Sequence, residues 1–230
     1  MKKKAKAHFK KSHGKALSER EQLEGSKFRL INEKLYTTTS SQAKEFFKTN
    51  PQYFDTMHNG FQLQATKWPI VPVDEVIKWI KNKIPKKAVI ADMGCGDAKL
   101  ALEVPNKVHS FDFKARNTRV TECDMSHTPL NDGSVDIVTF VLSLMGTNIN
   151  DFIREARRIL REKGVLLVVE VTSRIENEEA FSSGIEALGF KLNSKKSLTN
   201  FFTWFEFTKI DSVDIDAPQL TLKPCIYKRR

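Results

Sequence analysis

The sequence predicts an α/β fold, a mostly parallel seven-stranded sheet whose last strand runs antiparallel, with a small helical region ahead of it. Three observations carry this. Five β-branched or apolar runs, AVIADMG, VHSFDF, RVTECDM, VDIVTFVLSLM and GVLLVVEV, lie between Ala88 and Val171. They are apolar throughout rather than alternating, which suits strands covered on both faces, and too far apart for hairpins. Helical stripes separate the later runs. Phe152, Ile153, Ala156, Ile159 and Leu160 form one, with Asn150 or Asp151 as N-cap and Gly164 just beyond its end. Ala180, Phe181, Gly184, Ile185 and Leu188 form another, between Asn177 as N-cap and Gly189. The closing segments FKLNSKKSLT and FFTWFEFTKI are too close together for a helical crossover and pair antiparallel, the second being read as one buried strand.

Ahead of the sheet, residues 1–27 lack apolar periodicity and are expected to be a basic, disordered or loosely helical tail. Residues 28–87 read as a helical cap region, and 88–230 as the main domain. In the cap, Thr39 and Gln42 are placed for a capping box before AKEFF, and Asn50-Pro51 ends that helix. A further helix follows Pro72, because Val73, Val76, Ile77 and Ile80 repeat at helical spacing before Pro85.

Composition narrows the function. The formal net charge of +10 is concentrated at the ends: seven lysines and no acid in residues 1–15, and Lys223, Lys228, Arg229 and Arg230 near the other end. Removing those eleven charges leaves −1 for residues 16–222. A near-neutral body with cationic ends suits a polyanionic partner or nuclear import, and the bland alternative is a solvated tail. Apolar runs such as Gly164–Val171 are far shorter than the roughly 20 residues that cross a bilayer, so no membrane association and no secretion signal are expected. Cys95, Cys123 and Cys225 form no CxxC or Cys/His pair, so no structural metal is expected and a reducing compartment is.

The first run leads straight into a glycine turn. In AVIADMGCGDAKL, Gly94 and Gly96 let backbone approach a ligand, and Ala98 stands at the third small position of a dinucleotide fingerprint, a Rossmann-like arrangement. Alone this is a weak signal. An acid at the end of each of the next two strands strengthens it. Asp112, 18 positions after Gly94, can accept both hydroxyl hydrogens of a ribose. Asp124 can accept from an adenine amine, with the Met125 N–H beside it for a ring nitrogen. Turn or helix capping is the bland role for each acid taken singly. Together they describe an adenosine site at the carboxyl edge of the sheet. Asp92, two residues before the first glycine, the DxGxGxA form and the antiparallel end of the sheet select S-adenosylmethionine over a nicotinamide dinucleotide. Asp92 is then the partner of the methionine ammonium group.

Beyond these motifs, FRLINEKLYTTTSSQA, FDTMHNGFQLQATKWPIVPVD, ADMGCGDAKLA, TECDMSHTPL, SVDIVTFVLSLMGTNINDFIREARRIL and LKPCIYKRR closely resemble the ribosomal RNA-processing protein 8 family, over residues 27–230. The resemblance implies a class I methyltransferase fold and a nucleolar enzyme, S-adenosylmethionine-dependent, that methylates N1 of an adenosine in large-subunit ribosomal RNA. Its partner is then the pre-ribosomal particle, and a monomer is expected. The resemblance also implies a cofactor site drawn from His58, Gly94, Asp112, Asp124, Met125 and Val141. His58 rests on the resemblance alone, and Val141 stands where the family carries cysteine.

For the substrate, adenine N1 presents an unprotonated lone pair at neutral pH, so positioning suffices and no general base is assigned. The fourth strand ends in Ser143-Leu144-Met145-Gly146-Thr147-Asn148 instead of the Asn/Asp-Pro-Pro-aromatic turn of exocyclic-amine methyltransferases, which leaves ring-nitrogen methylation open. Ser143, Met145 and Asn148 are candidates for positioning the base, with a helix-start cap as the bland role of Asn148. Because N1 lies inside a Watson–Crick pair, the target must be unpaired or flipped. Tyr53, Phe61 and Trp68 are candidates to stack on it. Two other readings stay open: a methyltransferase of protein or small molecules, and a cofactor-binding nuclear module that silences ribosomal DNA.

Overall fold

The computed structural model describes residues 19–211 and 216–225, so the lysine-rich residues 1–15 and the final basic residues 228–230 lie outside the described residues. Four helices come first: α1 (Glu19–Thr37), α2 (Ser40–Thr49), α3 (Pro51–Ala65) and α4 (Pro72–Lys83). The sheet region follows as β1 (Val89–Met93), α5 (Lys99–Glu103), β2 (Lys107–Asp112), β3 (Val120–Glu122), β4 (Val135–Val141), α6 (Ile149–Ile159), β5 (Leu160–Val171), α7 (Glu178–Ala187), β6 (Phe190–Ser197) and β7 (Phe202–Lys209). Strand order is β3-β2-β1-β4-β5-β7-β6, with β7 antiparallel to both its neighbours and the other pairings parallel. This is the predicted sheet.

Both faces of the sheet are buried, as the unbroken apolar runs require. Successive side chains go to opposite faces, and the central strands show it. Leu166 and Val168 of β5 and Phe205 and Phe207 of β7 join a core with Phe152, Ile153 and Ala156 of α6 and Phe181 and Ile185 of α7. Leu167, Val169, Phe202 and Trp204 join the opposite core with Val76, Ile77 and Ile80 of α4. Each such side chain, fully withdrawn from water, contributes roughly 1.5–3 kcal/mol. Phe201 is the exception in its run, 52% exposed.

Helix ends follow local chemistry. Thr39 and Gln42 form the reciprocal capping box of α2, and Asn177 accepts the Ala180 N–H at the start of α7. Two expectations on α6 are corrected. Asn148, not Asn150 or Asp151, is the N-cap position. Asn150 lies inside the helix, where its amide accepts the Leu220 N–H at 2.8 Å and donates to the Pro218 carbonyl at 3.0 Å, tying down the C-terminal segment. Gly164 does not follow the helix as a cap. The chain passes directly from Ile159 into β5, and pairing with β4 shifts register before resuming at Val165.

The helical region divides differently from the sequence boundaries. α1 starts at Glu19, inside the stretch read as tail. Ile31, Leu35, Ala43, Phe47, Phe54 and Met57 of α1–α3 form a third core of their own. α4, read as part of the cap, packs instead on the sheet, because its apolar stripe extends the sheet's own core. The body that covers the carboxyl edge is therefore α1–α3.

Candidate active site

The carboxyl ends of β1, β2 and β4 open into a cavity of about 580 Å³, walled on the far side by α2, α3 and the connection to α4. That size suits a small-molecule cofactor. The glycine turn forms its floor. Gly94 has φ +74°, and a Cβ there would come within 2.5 Å of Ser143 Cβ, so only glycine lets the turn lie against the loop after β4. The Gly94 and Cys95 N–H groups both donate to the Phe111 carbonyl, at 2.9 and 3.0 Å, fixing the turn against β2.

Asp112 closes this arrangement. Its Oδ2 accepts the Gly96 N–H and its Oδ1 accepts the Phe113 N–H, each at 2.8 Å. The carboxylate is thus oriented before any ligand arrives, with lone pairs left for further donors. Burial pushes its pKa above the usual carboxylate range, and nearby His58 opposes the rise. Asp92 is 4% exposed, and Thr139 Oγ1 donates to its Oδ1 at 2.9 Å. Burial pushes its carboxyl up to about 7, a carboxyl primed to pair with a cation.

His58 projects from α3 toward the turn, its ring 3.5 Å from where a Gly96 Cβ would stand and 4.3 Å, centroid to centroid, from Phe54. Burial lowers its pKa, so the imidazole is neutral at pH 7, although Asp112 pulls the other way. Its Nε2 is buried without a hydrogen-bond partner among the described residues, and so is Ser143 Oγ. Buried polar atoms without partners are costly, and both of these belong to residues that line the cavity.

Of the residues singled out in the sequence, His58, Asp92, Gly94, Gly96, Asp112, Met125, Val141, Ser143, Met145, Phe61 and Trp68 all line this cavity. Three do not. Asp124 sits between the lining residues Cys123 and Met125, but its Oδ1 caps the Ser126 N–H at 2.9 Å. Tyr53 stacks on Phe46, ring centroids 5.6 Å apart, among the cap's own aromatics. Asn148 cannot read a base edge as it stands. Its Oδ1 accepts the Ser40 N–H at 2.9 Å, and its Nδ2 donates to Ser40 Oγ at 3.0 Å and Asp151 Oδ2 at 3.1 Å, joining α2 to α6.

The cavity also has walls the sequence did not announce. Phe47, Phe113 and Leu142 line it, as do Cys95 and Cys123. Burial raises both thiols, Cys123 to about 12 and Cys95 further still, so neither is a thiolate nucleophile. Leu142 has φ +58°, a strained value for a branched side chain, directly after the last residue of β4. Only its place at the end of a strand run hinted at a role. Among the described residues no group of three or more His, Cys, Asp or Glu is arranged to hold a metal, and no helix is long and apolar enough to cross a membrane.

Comparison with known proteins agrees with this geometry. The family described as "Hypothetical methyltransferase" matches residues 16–230. Ribosomal RNA-processing protein 8 of Caenorhabditis briggsae is 49% identical over 214 residues, 92% of this chain and 64% of that protein. The mouse protein of the same name is 45% identical, over 91% of this chain and 47% of its own length. The chain thus spans less than two thirds of either relative. The 25S rRNA (adenine(645)-N(1))-methyltransferase of Schizosaccharomyces pombe is 43% identical over 92% of this chain and 71% of that protein. Among solved structures, the Burkholderia thailandensis 1,6-didemethyltoxoflavin-N1-methyltransferase, with S-adenosylhomocysteine bound, shares the fold at a TM-score of 0.58 and 13% identity, over 70% of this chain and 87% of that one. A TehB-like SAM-dependent methyltransferase from Corynebacterium glutamicum gives 0.56 and 15%, over 69% and 99%. With sheet order, glycine turn and family match in agreement, the chain belongs to the methyltransferase family that contains the ribosomal RNA-processing protein 8 proteins.

Proposed function

We propose that this protein is an S-adenosylmethionine-dependent methyltransferase that modifies N1 of an adenosine in large-subunit ribosomal RNA. One observation carries the cofactor reading: His58 and Ser143, each with a buried polar atom unpartnered among the described residues, line the same cavity as Asp92 and Asp112. These groups fit the cofactor's donors and charge. Asp112 would take the ribose hydroxyls, Asp92 the ammonium group, and the backbone near Met125 and Val141 the adenine and the reactive end. The half-buried Asp124 would need to give up part of its turn-capping role to reach an adenine amine. When bound, S-adenosylmethionine supplies an electrophilic methyl group.

The chain's own work is to orient and to exclude water. Holding two reactants in attacking geometry supplies roughly 7–11 kcal/mol, enough to account for much of the barrier without a base. Phe61 of α3 and Trp68 beyond its end line the cavity, as do Met145 and Ser143 on the loop after β4. An unpaired adenine stacked there would turn its N1 edge toward the strand ends. Phe61 and Trp68 are the stacking groups in this reading; Tyr53 is not. The rRNA assignment rests on relatives whose names carry that substrate, including an adenine-N1 methyltransferase. In this reading the enzyme works in the nucleolus, as a monomer on the pre-ribosomal particle, with the lysine-rich N-terminal residues as a tether.

Primer extension tests the assignment. Cells carrying the wild-type protein should show a stop at one adenosine of large-subunit rRNA, and cells carrying Gly94→Arg should not. A stop that persists in cells lacking the protein removes rRNA as its substrate.

A further inference from the structure

A polar bridge joins α3 to the glycine turn, and it runs through a residue none of the motifs contains. Asp55, Asn59 and Gln62 recur at helical spacing on α3, on either side of His58. Arg116, in the loop that follows β2, reaches all of this. Its Nε lies 3.5 Å from Asp55 Oδ1, its Nη2 donates to Asn59 Oδ1 at 3.3 Å, and its Nη1 lies 3.2 Å from Asp97 Oδ1 in the glycine turn. Gln62 Nε2 donates to Asp97 Oδ2 at 2.5 Å, and Lys114 adds a second cation 4.0 Å from Asp55. Asp97 is held in turn by Asn117, whose Nδ2 donates to its carbonyl at 3.0 Å.

The opposite side of α3 is fixed differently. At Gly60 a Cβ would lie 2.2 Å from the Phe28 ring, so α1 and α3 pack there without an intervening side chain. Phe28 also meets Phe61 of α3 edge to face, ring centroids 5.6 Å apart, and Phe61 packs against the cap's apolar core, as do Phe113 and Met145 from the loops after β2 and β4. Apolar burial thus settles how α3 sits in the cap. The bridge settles how it sits over the turn.

We propose that Arg116 is a positioning residue for the cofactor: it fastens α3 to the glycine turn and so holds the His58 imidazole over Gly96 and beside Asp112. This rests on the reading of the cavity as an S-adenosylmethionine site. A guanidinium has a planar fork that can serve Asp55, Asn59 and Asp97 at once, and a lysine ammonium has no such fork. Arg116 is 22% exposed and its carboxylate partners 42–51%, so the bridge contributes little to global folding stability. It acts instead on a local equilibrium, α3 seated or lifted, which is the kind of opening that costs far less than unfolding. A ligand that needs His58 in place binds more weakly by the fraction of time α3 is lifted.

Calorimetric titration with S-adenosylhomocysteine, alongside thermal melts, decides the matter for wild type, Arg116→Ala, Arg116→Lys, His58→Ala and the Arg116→Ala/His58→Ala double variant. We expect Arg116→Ala to weaken binding about tenfold, the order for a lost charged hydrogen bond, with the melting temperature nearly unchanged. Arg116→Lys should recover only part of the loss. The double variant should bind no worse than His58→Ala alone, because Arg116 acts through His58. Wild-type affinity in Arg116→Ala, or losses that simply add in the double variant, overturns the proposal. Should Arg116→Ala melt far below wild type, Gln62→Ala loosens the same bridge from α3 and must weaken binding too; if it does not, the proposal falls. A wild-type protein that fails to bind the probe overturns the cofactor reading itself, and the Arg116 proposal with it.

Discussion

The turn after β1 and the loop after β4 flank the same cavity, and each places a residue in the left-handed region, Gly94 at φ +74° and Leu142 at φ +58°. They are held in different ways. The β1 turn is secured by its neighbours in sequence: Gly94 and Cys95 donate to Phe111, Gly96 donates to Asp112, and Ala98 donates to Cys95. The β4 loop is secured by the rest of the chain. Leu142 donates to the Val169 carbonyl, Thr147 donates to the Thr38 carbonyl, and Asn148 grips Ser40, 108 positions away. Arg174 donates to the Leu144 carbonyl at 2.9 Å, and Gln219 donates to the Thr147 carbonyl at 3.2 Å. The glycine-turn side of the cavity is built locally, and the β4-loop side is assembled from the cap, the sheet and the C-terminal segment together.

Breaking the distant supports should therefore have the largest effect. Arg174 is 1% exposed and pairs at 2.7 Å with Glu170, also 1% exposed, while its guanidinium lies 4.3 Å from the centre of the Tyr36 ring and donates to the carbonyls of Leu144 and Lys223. Arg174→Met leaves Glu170 buried without its cation and should cost about 3–5 kcal/mol in urea unfolding. Adding Glu170→Gln should return part of that, since removing the charge is cheaper than stranding it. A double variant no more stable than the single one would mean that the carbonyl contacts, not the ion pair, carry the cost.

Gly94→Ala tests the local turn and should come next. The substitution puts an L-residue at φ +74° and a Cβ 2.5 Å from that of Ser143, a combination worth about 2–4 kcal/mol in strain and crowding. Because the glycine turn is the cavity floor, affinity for S-adenosylhomocysteine should fall by at least a hundredfold, read by calorimetry. Unchanged affinity would show that the loop after β4 yields to the turn.

The same contrast explains what could be read from the sequence. The mostly parallel sheet, its antiparallel end, the glycine turn and the place of Asp92 and Asp112 beside that turn were legible because each depends on residues within about twenty positions of one another, or on the uninterrupted apolar runs that a doubly covered sheet demands. The capping box of α2 was legible for the same reason. Asn148 was misread because its amide is used by Ser40, a partner that no spacing rule connects to it. Tyr53 was misread because an aromatic near a pocket looks the same in sequence whether it faces the ligand or, as here, Phe46. α4 was assigned to the cap on proximity in sequence, although its stripe of Val76, Ile77 and Ile80 also fits the underside of a sheet. The backbone of Leu142 carried no signal beyond its place at a strand end, since left-handed backbone is legible only where glycine marks it.

A smaller effect separates the two sides by pH. In the ligand-free protein burial raises the Asp92 carboxyl to about 7, against 3.8 unperturbed. The folded state therefore holds that proton more tightly than the unfolded one, and this contribution to stability, complete below pH 3.8, is lost as pH rises through about 7. A bound ammonium group favours the ionised carboxylate, so ligand binding is strengthened over the same interval. His58 does not blur the reading, since burial keeps it neutral above its ordinary range. The rise in melting temperature produced by S-adenosylhomocysteine should thus be greater at pH 8.5 than at pH 6.5, with the difference reduced in Asp92→Asn. A pH-independent rise in wild type would detach Asp92 from the ammonium group.

The smallest expected effect is at Leu142, and it sharpens the comparison most. Replacing it by glycine relieves a left-handed leucine, worth roughly 1–2 kcal/mol. The same change removes a half-buried side chain that packs against Val141 and the α4 core, and gives the unfolded chain more freedom, together a loss of about the same size. Urea unfolding of Leu142→Gly should therefore lie within about 1 kcal/mol of wild type, in contrast to Gly94→Ala. A loss beyond about 2 kcal/mol would mean that the leucine side chain, by packing, forces the backbone into its left-handed turn. A gain would mean that the Val169 hydrogen bond alone holds it there, and that leucine is kept for its surface in the cavity at a cost in stability.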